Sequence, residues 1–114
     1  SKITECVNFA EEQAKKFGVR APMVGHLGDG NFHVVLPFDP TKKEMYKQIR
    51  EFNDSLIKKA LELNGTISGE HGVGLHKKEY LLEEHPDNIP VMKSIKRTID
   101  PNNIMNPGKI FDLN

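Results

Sequence analysis

The stretch Pro22-Met23-Val24-Gly25-His26-Leu27-Gly28-Asp29-Gly30-Asn31-Phe32-His33-Val34-Val35-Leu36-Pro37-Phe38 decides the fold. Residues 22–27 and 31–38 alternate in strand fashion around Gly28-Asp29-Gly30-Asn31. Asp29-Gly30 is a pair favoured by a two-residue type I′ hairpin turn, where both positions need positive φ. The spacing therefore predicts a hairpin pairing Gly28 with Asn31, Leu27 with Phe32, and His26 with His33, with Pro37 and Pro40 ending the second strand. On that register Leu27, Phe32, Val34 and Leu36 share one face, expected to pack on helices, and the two histidines share the other.

Helical patterns flank the hairpin. Ile3, Val7, Ala10, Ala14 and Phe17 recur at steps of 4, 3, 4 and 3, one face of an amphipathic helix closed by Gly18 at C′. Thr41-Lys42-Lys43-Glu44 reads as a capping box. It opens a long helix with Met45, Ile49, Phe52, Leu56, Ala60 and Leu63 inward, and Gly65 stops it. Thr66-Ile67-Ser68 reads as a short strand, and Gly69 to Leu75 as a glycine-rich loop. A weaker helix near 90–99 is broken by Asp100-Pro101. The order helix, strand, strand, helix, strand predicts an α+β fold. The fitting architecture is a ferredoxin-like split βαβ sandwich lacking its first strand, its antiparallel sheet covered by helices on one face. The missing strand, and a start without methionine, point to a chain beginning inside a longer domain.

A length of 114 residues suits one small domain, and a hydrophobic content of 37% supplies a modest core. It is too short for a dinucleotide-binding domain plus a separate catalytic domain. Sixteen basic residues balance sixteen acidic ones without a basic stripe, which disfavours nucleic acid. The pairs Lys58-Lys59 and Lys77-Lys78 read as solvated faces. No apolar stretch approaches the roughly 18 residues of a membrane span. Ser1-Lys2-Ile3-Thr4 resembles no secretory signal, so a cytoplasmic location is expected. The single cysteine, Cys6, excludes an internal disulfide and a CxxC motif, and reads as packing rather than as a nucleophile. Gly28-x-Gly30 and Gly72-x-Gly74 lack the third glycine of a phosphate loop, and no Gly-x-Ser-x-Gly elbow is present.

Seven of the nine glycines fall in two windows, 25–30 and 65–74, and four of the five histidines lie in or beside them. In the first window, opposed strand residues stand about 4.5–5.5 Å apart at Cβ on one face. His26 and His33 placed so can share a divalent ion; the plainer alternative is two half-exposed histidines with no ligand. A one-residue slip would send one of them to the wrong face. In the second window, Ser68-Gly69-Glu70-His71-Gly72-Val73-Gly74, Glu70 can complete a two-His-one-carboxylate set with open positions. His71 beside it can serve as a general base. The plainer alternative here is a helix-entry loop with solvated charges. Gly72 and Gly74 would let a substrate or cofactor ring lie against the backbone. Asp29 is explained by its turn, and His76 and His85 read as surface residues.

These two windows, together with Asp100-Pro101-Asn102-Asn103-Ile104-Met105-Asn106-Pro107-Gly108-Lys109, closely resemble signatures of the C-terminal domain of FAD-linked oxidases. That family includes D-lactate dehydrogenases and glycolate oxidase flavoprotein subunits, related to vanillyl-alcohol oxidase. The resemblance implies that His26, His33 and Glu70 hold a divalent metal, zinc or manganese, and that His71 is the base. It implies that the Asn106-Pro107 segment returns to the flavin domain, making Asn106 a cofactor contact, with residues 100–114 as the returning tail of a 1–114 domain. It further implies FAD held mainly by an upstream domain and a small 2-hydroxy acid as substrate. Independently of the resemblance, a domain cut from its partner exposes apolar surface and can self-associate. Some relatives carry a polar substrate contact where this sequence has Val35. Two other readings stand beside this one. They are a free-standing His/His/Glu metal-binding module or metallohydrolase, and a non-catalytic domain docking on a separate flavoprotein. The Asn-Pro-Gly-Lys closing segment favours the first reading, since a free hydrolase has no use for it.

Overall fold

The periodicity of Ile3 to Phe17 is realised as helix α1, Lys2–Phe17, in a computed structural model that describes residues 1–39 and 41–113. Cys6 and Ala10 on its inner face are buried. Gly18 takes a left-handed φ of 65° and ends the helix. The Val19 N–H then reaches back to the Ala14 carbonyl at 3.0 Å, a Schellman closure. The chain divides into two compact units, Ser1–Gly65 and Thr66–Asn114.

In the first unit α1 packs against helix α2, Lys43–Glu62. Phe52 of α2 is completely buried at 0% exposure, and Ile57 is buried beside it in sequence by little more than a turn. Burying a phenylalanine side chain stabilises by about 1.5–3 kcal/mol, so Phe52 is the largest single apolar contribution in this unit. Lys59 of α2 reaches the Glu5 carboxylate of α1 at 2.8 Å. That ammonium holds the Glu5 carboxyl below its ordinary value, and Glu5 holds the Lys59 ammonium above its own.

The expected capping box does not form. The N-cap of α2 is Lys42, with no side-chain cap bond. Thr41 instead donates its hydroxyl (2.6 Å) and its main-chain N–H (3.0 Å) to the Asp39 carboxylate. The Lys42 N–H meets the Asp39 carbonyl at 3.0 Å. An aspartate side chain two residues upstream thus captures the threonine in an Asx turn, and the helix begins one residue later. The Thr41 hydroxyl and N–H hold the Asp39 carboxyl below its usual range. Pro40, expected to end the second strand with Pro37, lies outside the described residues.

The hairpin forms, with strands β1 (Met23–His26) and β2 (Asn31–Val34) antiparallel. Its register differs from the expected one. Met23 pairs with Val34, Val24 with His33, Gly25 with Phe32 and His26 with Asn31. Residues Leu27–Asp29 make a short 3-10 turn closed by Gly30 at φ 74°, so the connection is longer than a two-residue turn. Leu27 leaves the ladder and is exposed, while Phe32, Val34 and Leu36 are half-buried. Gly25 fits this register because a Cβ there would stand 2.4 Å from the Phe32 Cα and 2.7 Å from the Asn31 carbonyl oxygen. Only a residue without a side chain lets the two strands approach so closely there.

The second unit holds helices α3 (Lys78–Glu84) and α4 (Ile89–Ile99), preceded by a 3-10 turn, Gly69–His71. Ile67, Leu81 and Ile89 are its buried apolar side chains. The strand expected at Thr66-Ile67-Ser68 is not formed: among the described residues the sheet is two-stranded. The reason lies in who binds the backbone. The Ile67 N–H donates to the Glu84 carboxylate at 3.2 Å, and the Ile67 carbonyl accepts from the Lys77 ammonium at 2.8 Å. Side chains from both ends of α3 take the groups that a neighbouring strand would have used. The solvated-face reading holds for the exposed Lys58 and is corrected for Lys59, Lys77 and Lys78 by their contacts. Lys59 is tied to Glu5, Lys77 to Ile67, and Lys78 to the Gly108 carbonyl at 3.1 Å and the Asp112 carboxylate at 2.6 Å.

Asp100 organises the closing segment. It ends α4 and is buried at 4% exposure, with Lys96 on its carboxylate. The N–H groups of Ile104 and Met105 donate to it at 3.0 and 2.9 Å. Lys96, and after it these amides, hold the carboxyl below its ordinary value against the opposing effect of burial. Arg97 reaches the Leu113 carbonyl, and the Ile110 N–H donates to the Gly74 carbonyl at 2.8 Å. The molecule is thus of the α+β class, with four α-helices and an antiparallel two-stranded sheet among the described residues.

Candidate active site

The ribbon places its histidines together, though not directly opposite. His26 pairs with Asn31 and His33 with Val24. The register is offset by two residues from the expected one, and an even offset keeps each side chain on its face. His26 and His33 therefore share one face as diagonal neighbours, about 7–8 Å apart at the backbone rather than in direct opposition. His26 is exposed and His33 half-buried. The other face carries Met23, Phe32 and Val34. Asp29 sits inside the 3-10 turn, in keeping with a structural role.

Glu70 and His71 occupy the turn Gly69–His71, bounded by Gly69 at φ 52° and Gly72 at φ 72°. Their side chains are in contact, His71 Nε2 lying 3.4 Å from Glu70 Oε1. Both are open to solvent, 73% and 50% exposed. A Cβ added at Gly72 or Gly74 would meet nothing within 4 Å, so the backbone after His71 is uncovered on that side. A carboxylate, with two oxygens and about four acceptor directions, is able to take both an imidazole and a cation. Imidazole nitrogens and a carboxylate oxygen are donor types that fit zinc or manganese.

Asn106 is exposed, with φ 46°, and its carbonyl accepts the Lys109 N–H at 3.2 Å in a tight turn. This presents the Asn106 amide outward from the closing segment. Cys6 is buried, and burial pushes its thiol pKa up, the opposite of an activated nucleophile. His76 is exposed; His85 lies 3.3 Å from Glu84.

Two contributors escaped the sequence reading. Lys77 and Glu84 hold Ile67, three residues before Glu70, yet a lysine and a glutamate among other charges carry no periodic signal. Helix α3 was missed with them, because seven residues with one buried position, Leu81, are too few to show a helical repeat.

No helix among the described residues is long and apolar enough to cross a membrane. The chain is 44% identical over 96 residues to a probable mitochondrial D-lactate dehydrogenase of Danio rerio, covering 83% of this chain and 19% of that protein. It is 39% identical over 114 residues to a mitochondrial D-lactate dehydrogenase [cytochrome] of Kluyveromyces lactis, covering 99% of this chain and 19% of the relative. Against the glycolate oxidase subunit GlcD of Bacillus subtilis it is 38% identical over 112 residues, 97% of this chain and 24% of the relative. The chain therefore spans about a fifth to a quarter of the length of these relatives. Residues 1–110 match the family described as FAD linked oxidases, C-terminal domain, and the chain belongs to that family.

Proposed function

We propose that this chain is the substrate- and metal-binding C-terminal domain of an FAD-dependent oxidoreductase that converts a small D-2-hydroxy acid to the 2-oxo acid. The observation that carries this reading is the Glu70–His71 pair, 3.4 Å apart on an exposed turn, in a chain of the FAD linked oxidase family. Relatives named D-lactate dehydrogenase, glycolate oxidase subunit and D-2-hydroxyglutarate dehydrogenase support a 2-hydroxy acid as the substrate class.

In this reading His26, His33 and Glu70 are the ligands of one divalent ion, zinc or manganese. Such an ion, when bound, supplies polarisation of the substrate hydroxyl, and FAD, held mainly outside this chain, supplies hydride acceptance from C2. His71 takes the hydroxyl proton, and the Glu70 carboxylate beside it stabilises the resulting imidazolium. The open backbone at Gly72 and Gly74 gives the substrate room beside His71, and the exposed Val35, just after β2, offers an apolar rather than a polar contact. Asn106, on the closing segment, reaches toward the flavin-binding part of the enzyme. Residues 1–114 then act as one substrate domain, with 100–114 as its returning tail.

The test uses the intact flavoprotein that carries this chain. His71→Ala should lower kcat by roughly 10²–10⁴-fold while metal content, read by elemental analysis, is retained. His26→Ala and Glu70→Ala should lose the metal together with turnover. Equal and trivial metal in wild type and His26→Ala after saturation would overturn the metal assignment, and undiminished turnover in His71→Ala would overturn the base.

A further inference from the structure

The turn that carries Glu70 and His71 begins and ends in glycines with left-handed φ, Gly69 and Gly72. Glycine has the widest backbone freedom of any residue, so these hinges cannot themselves fix where the two side chains stand. The flanking chain is itself held, and there Lys77 acts on both sides. Its ammonium donates to the carbonyls of Ile67 (2.8 Å) and Ser68 (3.4 Å), just before the turn. Its main-chain N–H donates to the Val73 carbonyl at 3.3 Å, just after it. Glu84, seven residues on, accepts the Ile67 N–H at 3.2 Å and completes the grip on Ile67, which is buried at 4% exposure.

We infer that Lys77 and Glu84 are positioning residues. They clamp the entry and exit of the Glu70–His71 turn and so set the geometry in which Glu70 binds a cation and His71 accepts a proton. Partial burial withdraws the Lys77 ammonium from water and lowers its pKa, so the Ile67 and Ser68 carbonyls take the place of lost solvent. A long flexible side chain ordered in this way gives up rotamer freedom, and two charge-assisted bonds to the same short segment offset that loss.

The inference rests on the functional reading above, and its test separates the two. Lys77→Met in the intact flavoprotein should weaken Zn²⁺ affinity, measured by titration, by about 10–100-fold, the range found when groups supporting a metal ligand are removed. Lys77→Arg should restore most of that affinity, since a guanidinium can still donate to both carbonyls. Glu84→Ala should behave like Lys77→Met, and Glu84→Gln, which keeps an acceptor, should stay near wild type. Ile89→Ala is the control: it should lower Tm through the core of the same unit while leaving Zn²⁺ affinity unchanged. Wild-type affinity in both Lys77→Met and Glu84→Ala overturns the clamp, as does a loss in Ile89→Ala equal to theirs, which would mark the effect as general destabilisation. Should Lys77→Met fail to fold, Glu84→Ala alone decides. If Glu70→Ala binds Zn²⁺ as wild type does, the metal reading falls instead of the clamp.

Discussion

The two halves of the chain keep their shape by different means. Ser1–Gly65 rests on apolar packing between two long helices and on a main-chain ladder between two strands. Thr66–Asn114 has shorter helices, and charged side chains grip its irregular backbone: Lys77 and Glu84 on Ile67, Lys78 on Gly108, and Lys96 with Asp100 on the Ile104–Met105 turn. An apolar seam is written into sequence as a period, whereas a side chain that binds a distant carbonyl leaves no period at all. The half with the repeat can be read in advance, whereas in the half with the grips only α4, expected near 90–99 and formed over Ile89–Ile99, is legible.

Substitutions that strike each mode of support test this contrast. The largest effect is expected at the apolar seam. Phe52→Ala should destabilise by about 3–5 kcal/mol in chemical denaturation, through lost burial and the cavity left behind. A loss under 1 kcal/mol would mean that the helix pair does not depend on its most buried side chain. Next comes the ladder. Gly25→Ala places a methyl group against the Phe32 backbone, an overpacking of about 1–3 kcal/mol, and should abolish amide-exchange protection in the ribbon while sparing the helices.

The smallest effect at neutral pH, but the sharpest test of the contrast, is at the grips. The folded-state pKa of Asp100 is lowered, so its contribution is complete above the unfolded value of about 3.9. That contribution is lost as pH falls below this value toward the folded one. The Glu5–Lys59 pair between α1 and α2 is exposed at Glu5 and contributes little beside the apolar seam, so acidification through this window should release the closing segment before the helix pair, as read by amide exchange. Asp100→Asn should lower Tm at pH 7 and erase this acid dependence. Release of both halves at one pH, with Asp100→Asn indistinguishable from wild type, would contradict it.

The legible features were those with local causes. The 4, 3, 4, 3 spacing gave α1 to within a residue, and Gly18 closed it as expected. The long run of inward residues gave α2, but not its first residue, because the Asp39 carboxylate competes for Thr41. The hairpin was visible in its alternation, while its register depended on the Gly25–Phe32 approach, which no turn propensity encodes. Within the candidate site, Glu70 and His71 stand side by side in an exposed turn, and His26 and His33 share a face. The supporting residues Lys77 and Glu84 stayed hidden, since each acts on the backbone of Ile67 rather than on a side-chain pattern.

The ribbon's register has a consequence for how its turn can vary. A strand pair stores the placement of its side chains as a parity: odd shifts exchange the faces, and even shifts conserve them. The Leu27–Gly30 connection moves the pairing by two relative to a tight hairpin, and His26 and His33 remain on common ground. A change of loop length that the connection absorbs leaves every pair of the ladder in place, and with it the shared face of His26 and His33; only a slip of the pairing by an odd step exchanges the faces. The loop is free to vary in length as long as the ladder beside it holds.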